Sequence, residues 1–184
     1  MRAALLDFGV LKIEVVLPDR FKDGFGLKMS AVPRILESDA GLVVTVDNGS
    51  MANEVCNELK KHGIDVIVTD HHEIPVVPDK AVATINPNRV DEKCGKGLAG
   101  VGVAFQVARA LNMRKNGGKC DGQEKWLLDL VTIGTICDLM PLIGVNRTLT
   151  YWGMTVLKKT RRAGIRELAK LAKGDLEHAN SQTI

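Results

Sequence analysis

Residues 42–73, LVVTVDNGSMANEVCNELKKHGIDVIVTDHHE, decide the fold. Leu42 to Val46 and Ile64 to Thr69 are runs of mostly β-branched, apolar side chains bounded by turn-forming residues, the pattern of short buried strands. Between them Ser50 to His62 reads as a helix, with Ser50 at the N-cap position, Val55 and Leu59 on one face, and Gly63 as the stop. Apolar strands separated by helices predict a parallel sheet covered on its faces by those helices.

Working outward, Ile13 to Leu17, closed by Pro18, predicts a further strand, and Ala81 to Ile85 another after the turn-rich Pro75 to Asp79. Beyond the loop Asn86 to Lys96 the periodicity turns helical, at Leu98 to Met113, Gln123 to Gly134, Leu149 to Lys158 and Gly164 to Lys173. The fold class expected is therefore α/β, a parallel β-sheet flanked by helices, with a mostly helical C-terminal half. A chain of 184 residues is enough for one packed domain.

Composition narrows the function classes. Charged residues make up 26% of the chain and the net charge is +3, which fits neither a DNA-coating protein nor a disordered polyelectrolyte. Cys56, Cys94, Cys120 and Cys137 lack CxxC or zinc-site spacing and follow no secretory signal, so they read as reduced thiols of a cytoplasmic protein. Arg2, Asp7, Lys12 and Glu14 interrupt the apolar N-terminus well short of the ~20 residues a membrane span needs, and no membrane partner is expected.

Asp47 directly follows one expected strand and Asp70 the next, which puts both carboxylates at the carboxyl edge of the sheet, where open α/β sheets bind ligands. A helix cap or the Asp47-Asn48-Gly49 turn would also account for Asp47. Asp70-His71-His72-Glu73 places two of the chain's four histidines beside two carboxylates, a ligand set suited to zinc, manganese or iron rather than calcium. Asp138 is the only charge between Asp129 and Arg147 and reads either as a buried acid held by a cation or as a cap before Pro141.

Three further segments carry weaker signals. Gly95 to Phe105 leads from a glycine-rich loop into a helix, so Gly100 and Gly102 admit either a phosphate at the backbone or close helix packing. Asn146-Arg147 offers a guanidinium suited to phosphate, against an ordinary surface arginine. The basic run Lys158, Lys159, Arg161, Arg162, Arg166, Lys170 and Lys173 suits either a nucleic-acid backbone or a solvated helix face, and aromatics for stacking bases are scarce at 4%.

With these residues in place, the chain resembles the DHH phosphoesterase superfamily, and within it the RecJ-like single-strand-specific DNA exonucleases. The resemblance rests on Leu17-Pro18-Asp19-Arg20, Gly24-Phe25-Gly26, Val46 to Gly49, Asp70-His71-His72, Asn86-Pro87-Asn88, Leu98 to Phe105, Asp129 to Leu142, and Asn146-Arg147. It implies a two-metal site, usually Mn2+ or Mg2+, that hydrolyses single-stranded DNA from the 5′ end in repair and recombination. Carried over, Asp47 bridges the metals, His71 and Asp138 ligate one of them, Asp70 supports the cluster, and His72 faces the scissile phosphate. Arg20, Gly100, Gly102, Asn146 and Arg147 look toward substrate, with single-stranded nucleic acid and replication or repair proteins as partners.

The departures from the family pattern are specific. No Asp-x-Asp-x-Gly element precedes the first helix, and Val145 stands where a glutamate usually precedes Asn-Arg. The expectation is a DHH core over residues 1–160 with an incomplete second metal position and impaired activity, and residues 161–184 starting a connecting helix toward a second domain. Two alternatives are a phosphodiesterase for short oligonucleotides or cyclic dinucleotides and a non-catalytic DHH-like replication scaffold.

Overall fold

Strand β1 (Leu42–Val46) forms where the sequence predicts it, and it pairs in parallel with β2 (Asp65–Thr69). The structure is a computed structural model that describes residues 1–19, 21, 24–73, 78–90, 92, 95–172 and 174–180. A short β3 (Ala83–Ile85) pairs in parallel on the other side of β2, giving the order β1-β2-β3. The turn expected at 75–79 falls largely outside the described residues, as do Arg20, Cys94 and Lys173.

Helices α1 (Arg2–Phe8), α2 (Val32–Glu37) and α3 (Asn53–Lys61) complete a first compact unit, Met1–Lys96. Its core joins Val32 and Ile35 of α2, Val55, Cys56 and Leu59 of α3, and Val66 and Val68 of the central strand. The expected strand at Ile13 to Leu17 does not form. A β-run is stabilised by a ladder neighbour, and among the described residues β1 pairs only with β2; Leu11 and Leu17 stay 94% and 85% exposed.

The second unit begins at Gly97 and is helical, as expected: α4 (Gly100–Lys115), α5 (Leu128–Cys137), α6 (Gly144–Leu157) and α7 (Ala163–Leu171). Its core gathers Phe105, Leu128 and Val131 against Val101, Leu149 and Val156. Helix α6 lies close on α5 because residue 153 is glycine; a Cβ there would collide with Thr132 Oγ1 and the Leu128 carbonyl oxygen. No helix among the described residues is long and apolar enough to cross a membrane.

Register positions the site. Val46 pairs with Thr69 and Thr69 with Ile85, so the three strands end in one row. The ladder runs one step further, with Asp47 N–H donating to the Thr69 carbonyl (2.9 Å) and Asp70 N–H to that of Ile85 (3.1 Å). Asp47, Asp70 and Asn86 therefore leave the sheet side by side at its carboxyl edge.

Candidate metal centre

Asp47 enters the turn after β1 with φ 66°, a left-handed conformation that Asp tolerates better than most side chains. The turn is tied back to the strand: Thr45 Oγ1 donates to the Asn48 carbonyl (2.6 Å) and Asn48 Nδ2 to that of Val46 (2.9 Å). Gly49, at φ 104°, is required here, since a Cβ would lie 2.6 Å from Thr45 Oγ1. This bracing leaves the Asp47 carboxylate 57% exposed at the edge.

Asp70 is the buried anchor of the neighbouring turn, 2% exposed. Its Oδ1 accepts the amides of His71 (2.7 Å) and His72 (3.3 Å) and meets His72 Nδ1 at 2.7 Å, while Oδ2 accepts the Ser50 amide at 3.0 Å. Burial works to raise the pKa of this carboxyl, but the hydrogen bonds from His72, Ser50 and His71 together outweigh it and hold the pKa below the ordinary aspartate value. With Nδ1–H of His72 directed at a carboxylate, the lone pair of that ring resides on Nε2.

His71, only 8% exposed, brings Nε2 to 3.1 Å from Asp47 Oδ1. The two imidazole rings lie 4.6 Å apart at 54°. Ligand atoms of Asp47, His71 and His72 all fall within 4.8 Å of one another. Ligands on opposite sides of an ion with bonds of about 2.1 Å stand about 4.2 Å apart, so small rotations let these three groups close on one ion. An oxygen and two nitrogens suit a first-row divalent metal.

Three residues that build this centre had escaped the reading of the sequence as site residues. Ser50, expected as the N-cap of α3, is not: the helix starts after Ala52 without a side-chain cap, and Ser50 is buried beside Asp70. Asn86 Nδ2 donates to Ser50 Oγ (3.0 Å) and to the His72 carbonyl (2.9 Å), and Asn86 Oδ1 accepts the Asn88 amide (2.8 Å). Asn88 Nδ2 in turn donates to the His71 carbonyl. The signal was present in Asn86-Pro87-Asn88, where two amides follow a strand end that register places beside Asp70.

The remaining expected residues sit as follows. Asp138, one alternative for which was a buried acid, is exposed and follows the last turn of α5, its amide donating to the Gly134 carbonyl (3.0 Å). The buried acid of that region is Asp129, 2% exposed, whose Oδ2 accepts Thr160 Oγ1 (2.8 Å) and Arg162 Nε (3.0 Å). Gly100 and Gly102 open α4, and a Cβ at Gly102 would lie 3.1 Å from Leu98 Cδ2, which favours the packing alternative. Asn146 is buried and staples its own unit, Nδ2 donating to the Gly97 (2.7 Å) and Pro141 (3.1 Å) carbonyls, while Arg147 is exposed. Arg20 lies outside the described residues.

Sheet and cluster together define an α/β protein with a carboxylate–imidazole centre at the carboxyl edge of a parallel sheet. The chain belongs to the DHH family, whose N-terminal domain matches residues 3–135. It is 41% identical over 177 residues to the single-stranded-DNA-specific exonuclease RecJ of Bacillus subtilis, covering 94% of this chain and 21% of that protein. With its Escherichia coli counterpart it shares 38% identity, covering 95% of this chain and 32% of the other.

Among solved structures, exonuclease RecJ bound to manganese superposes with a TM-score of 0.73 at 33% identity, over 84% of this chain and 38% of that one. RecJ from Thermus thermophilus in complex with Mn2+ gives 0.67 at 33% identity, over 81% and 22%. The chain thus spans between a fifth and two fifths of the proteins it matches.

Proposed function

We propose that this chain is the core of a metal-dependent exonuclease acting on single-stranded DNA, 5′ to 3′, in repair and recombination in the cytoplasm. The observation that carries the reading is the 3.1 Å approach of His71 Nε2 to Asp47 Oδ1 on neighbouring strand ends, with a ring nitrogen of His72 within 4.8 Å of both. Names of relatives agree with it: both RecJ proteins above are single-stranded-DNA-specific exonucleases, and the superposed structures hold manganese.

In this proposal Asp47, His71 and Asp138 would hold Mn2+ or Mg2+. A bound divalent ion supplies a water of lowered pKa and offsets charge on a phosphoryl oxygen. Asp70 fixes the His72 ring through Nδ1, leaving Nε2 to meet the scissile phosphate. Arg20, Arg147 and the amide at Gly100 would hold the substrate backbone, Asn146 and Gly102 act by shaping the unit that presents Arg147 and Gly100, and replication or repair proteins act with it. Residues 1–160 are the DHH core, and 161–184 begin a connection to a further domain.

The test is a calorimetric manganese titration of the wild type, His71→Ala and Asp47→Ala, paired with digestion of 5′- and 3′-labelled single strands. Manganese binding that each substitution abolishes, with release from the 5′ end, supports the proposal. Wild-type affinity in His71→Ala overturns the site; turnover of dinucleotides but not of long strands overturns the substrate.

A further inference from the structure

Aromatic rings are scarce in this chain, with four Phe, two Trp and one Tyr, and their placement is uneven. The tyrosine and both tryptophans belong to the second unit, and all three are exposed: Tyr151 67%, Trp152 57% and Trp126 55%. Rings of this size ordinarily bury most of their surface, so three left in solvent on one helical unit call for a partner.

Two of the three, Tyr151 and Trp126, line grooves. Along α6 the positions Arg147, Tyr151 and Met154 recur at helical spacing and, with Lys158 at the C-cap and Lys159, line a groove of about 520 Å³. From Arg147 to Lys158 the helix rises about 16 Å. Lys159 also lines a second groove of about 470 Å³, with Trp126, Arg161 and Arg162. Tyr151 is braced edge-on against Trp152, ring centres 5.2 Å apart at 85°, so its face is presented by a packed pair.

Charge then selects the occupant. Arg162 is engaged by Asp129, but Arg147, Lys158, Lys159 and Arg161 make no ion pair among the described residues. Among the described residues Asp129 is the only acid lining either groove, and it is 2% exposed and satisfied by Thr160 and Arg162. Unpaired cations beside exposed rings match a polyanion that also offers flat π-faces. A duplex hides those faces inside its stack, and a bare polyphosphate has none.

We infer that the two grooves form one track that holds a single-stranded nucleic acid, its bases stacking on Tyr151 and Trp126 and its phosphates meeting Arg147, Lys158, Lys159 and Arg161. The track rests on the proposed single-strand reading for its ligand class, yet it uses none of Asp47, His71 or His72. It therefore holds the strand without metal.

The experiment is fluorescence anisotropy of a labelled oligothymidylate with the full chain in excess chelator. Stacking is worth about 1–3 kcal/mol per base, so Tyr151→Ala and Trp126→Ala each weaken binding about fivefold to a hundredfold, while Tyr151→Phe binds as the wild type does. Lys159→Ala and Arg161→Ala each reduce the slope of log affinity against log salt by about 0.7. Circular dichroism confirms that each variant is folded. Absence of wild-type binding, wild-type affinity in both aromatic variants, or equal competition by duplex DNA or polyphosphate overturns the track. Intact binding without manganese-dependent hydrolysis faults the exonuclease reading instead.

Discussion

Asp70 Oδ1 and His72 Nδ1 stand 2.7 Å apart, and this single contact makes the buried carboxylate of one turn the orienting partner of an exposed imidazole. The same carboxylate receives the amides of Ser50, His71 and His72, so it organises two chain segments at once. A group that orients ligands without being exposed itself is expected to act on metal affinity through them.

Asp70→Asn keeps the shape but replaces one acceptor oxygen by a donor that faces donors. Manganese affinity is expected to fall about ten- to a hundredfold, since loss of a partner that orients ligands has that effect. Thermal unfolding of the metal-free protein is expected to show a loss of about 1–3 kcal/mol from unsatisfied buried donors. Calorimetry with unchanged manganese affinity would place Asp70 outside the functional site.

Asp47 sits at φ 66° with its carboxylate exposed, so its backbone strain serves no packing purpose. Left-handed conformations cost non-glycine residues roughly 1–2 kcal/mol, offset in part by the greater chain entropy that glycine loses. Asp47→Gly is therefore expected to be neutral to about 1 kcal/mol more stable than the wild type while losing manganese binding. Asp47→Ala loses the metal with no gain in stability. Thermal unfolding in chelator, read beside a manganese titration, separates the two effects.

The sheet was legible in the sequence where strands are apolar and bounded by turns: β1 starts and ends as expected, and β2 and β3 end where expected. Ile13 to Leu17 has the same local character, but strand formation depends on a neighbour, which local character does not specify. The Asp47–His71–His72 cluster was legible because consecutive parallel strands end in register, so residues far apart in sequence emerge side by side. Ser50 was misread because serine ahead of a helix ordinarily caps it, and here the amide is claimed by a carboxylate twenty residues away. Asp138 and Asp129 show the converse: both are acids next to apolar runs, and only tertiary packing decides which is buried.

Asn86 couples the two histidines' turn to Ser50 through one amide nitrogen, at 3.0 Å to Ser50 Oγ and 2.9 Å to the His72 carbonyl. Asn86→Ala is expected to cost about 1–3 kcal/mol, because Asn86 is buried and its partners lose a donor with no water to replace it. Ser50→Ala removes the acceptor of Asn86 and the hydroxyl that bonds Asp70, while leaving Asn86 its other bond. In a double-mutant cycle the pair should couple by at least about 0.5 kcal/mol, the level shown by residues in direct contact. Additive effects in chemical denaturation would show that this hydrogen bond does not hold the turn.

Gly153 sets a contest between helix propensity and packing. In an exposed helix interior, glycine to alanine gains about 1 kcal/mol. Here the added methyl runs into Thr132 Oγ1 and the Leu128 carbonyl oxygen, and the carbonyl is backbone that cannot rotate away. Overpacking of this kind costs about 1–3 kcal/mol or more, so Gly153→Ala is expected to be destabilising despite its better propensity. Gly164 in α7 is the control, for a Cβ there meets nothing within 4 Å, and Gly164→Ala is expected to be neutral or slightly stabilising. Paired thermal unfolding of the two variants checks the sign. A stabilised Gly153→Ala would mean that α5 and α6 are held further apart than the glycine contact allows.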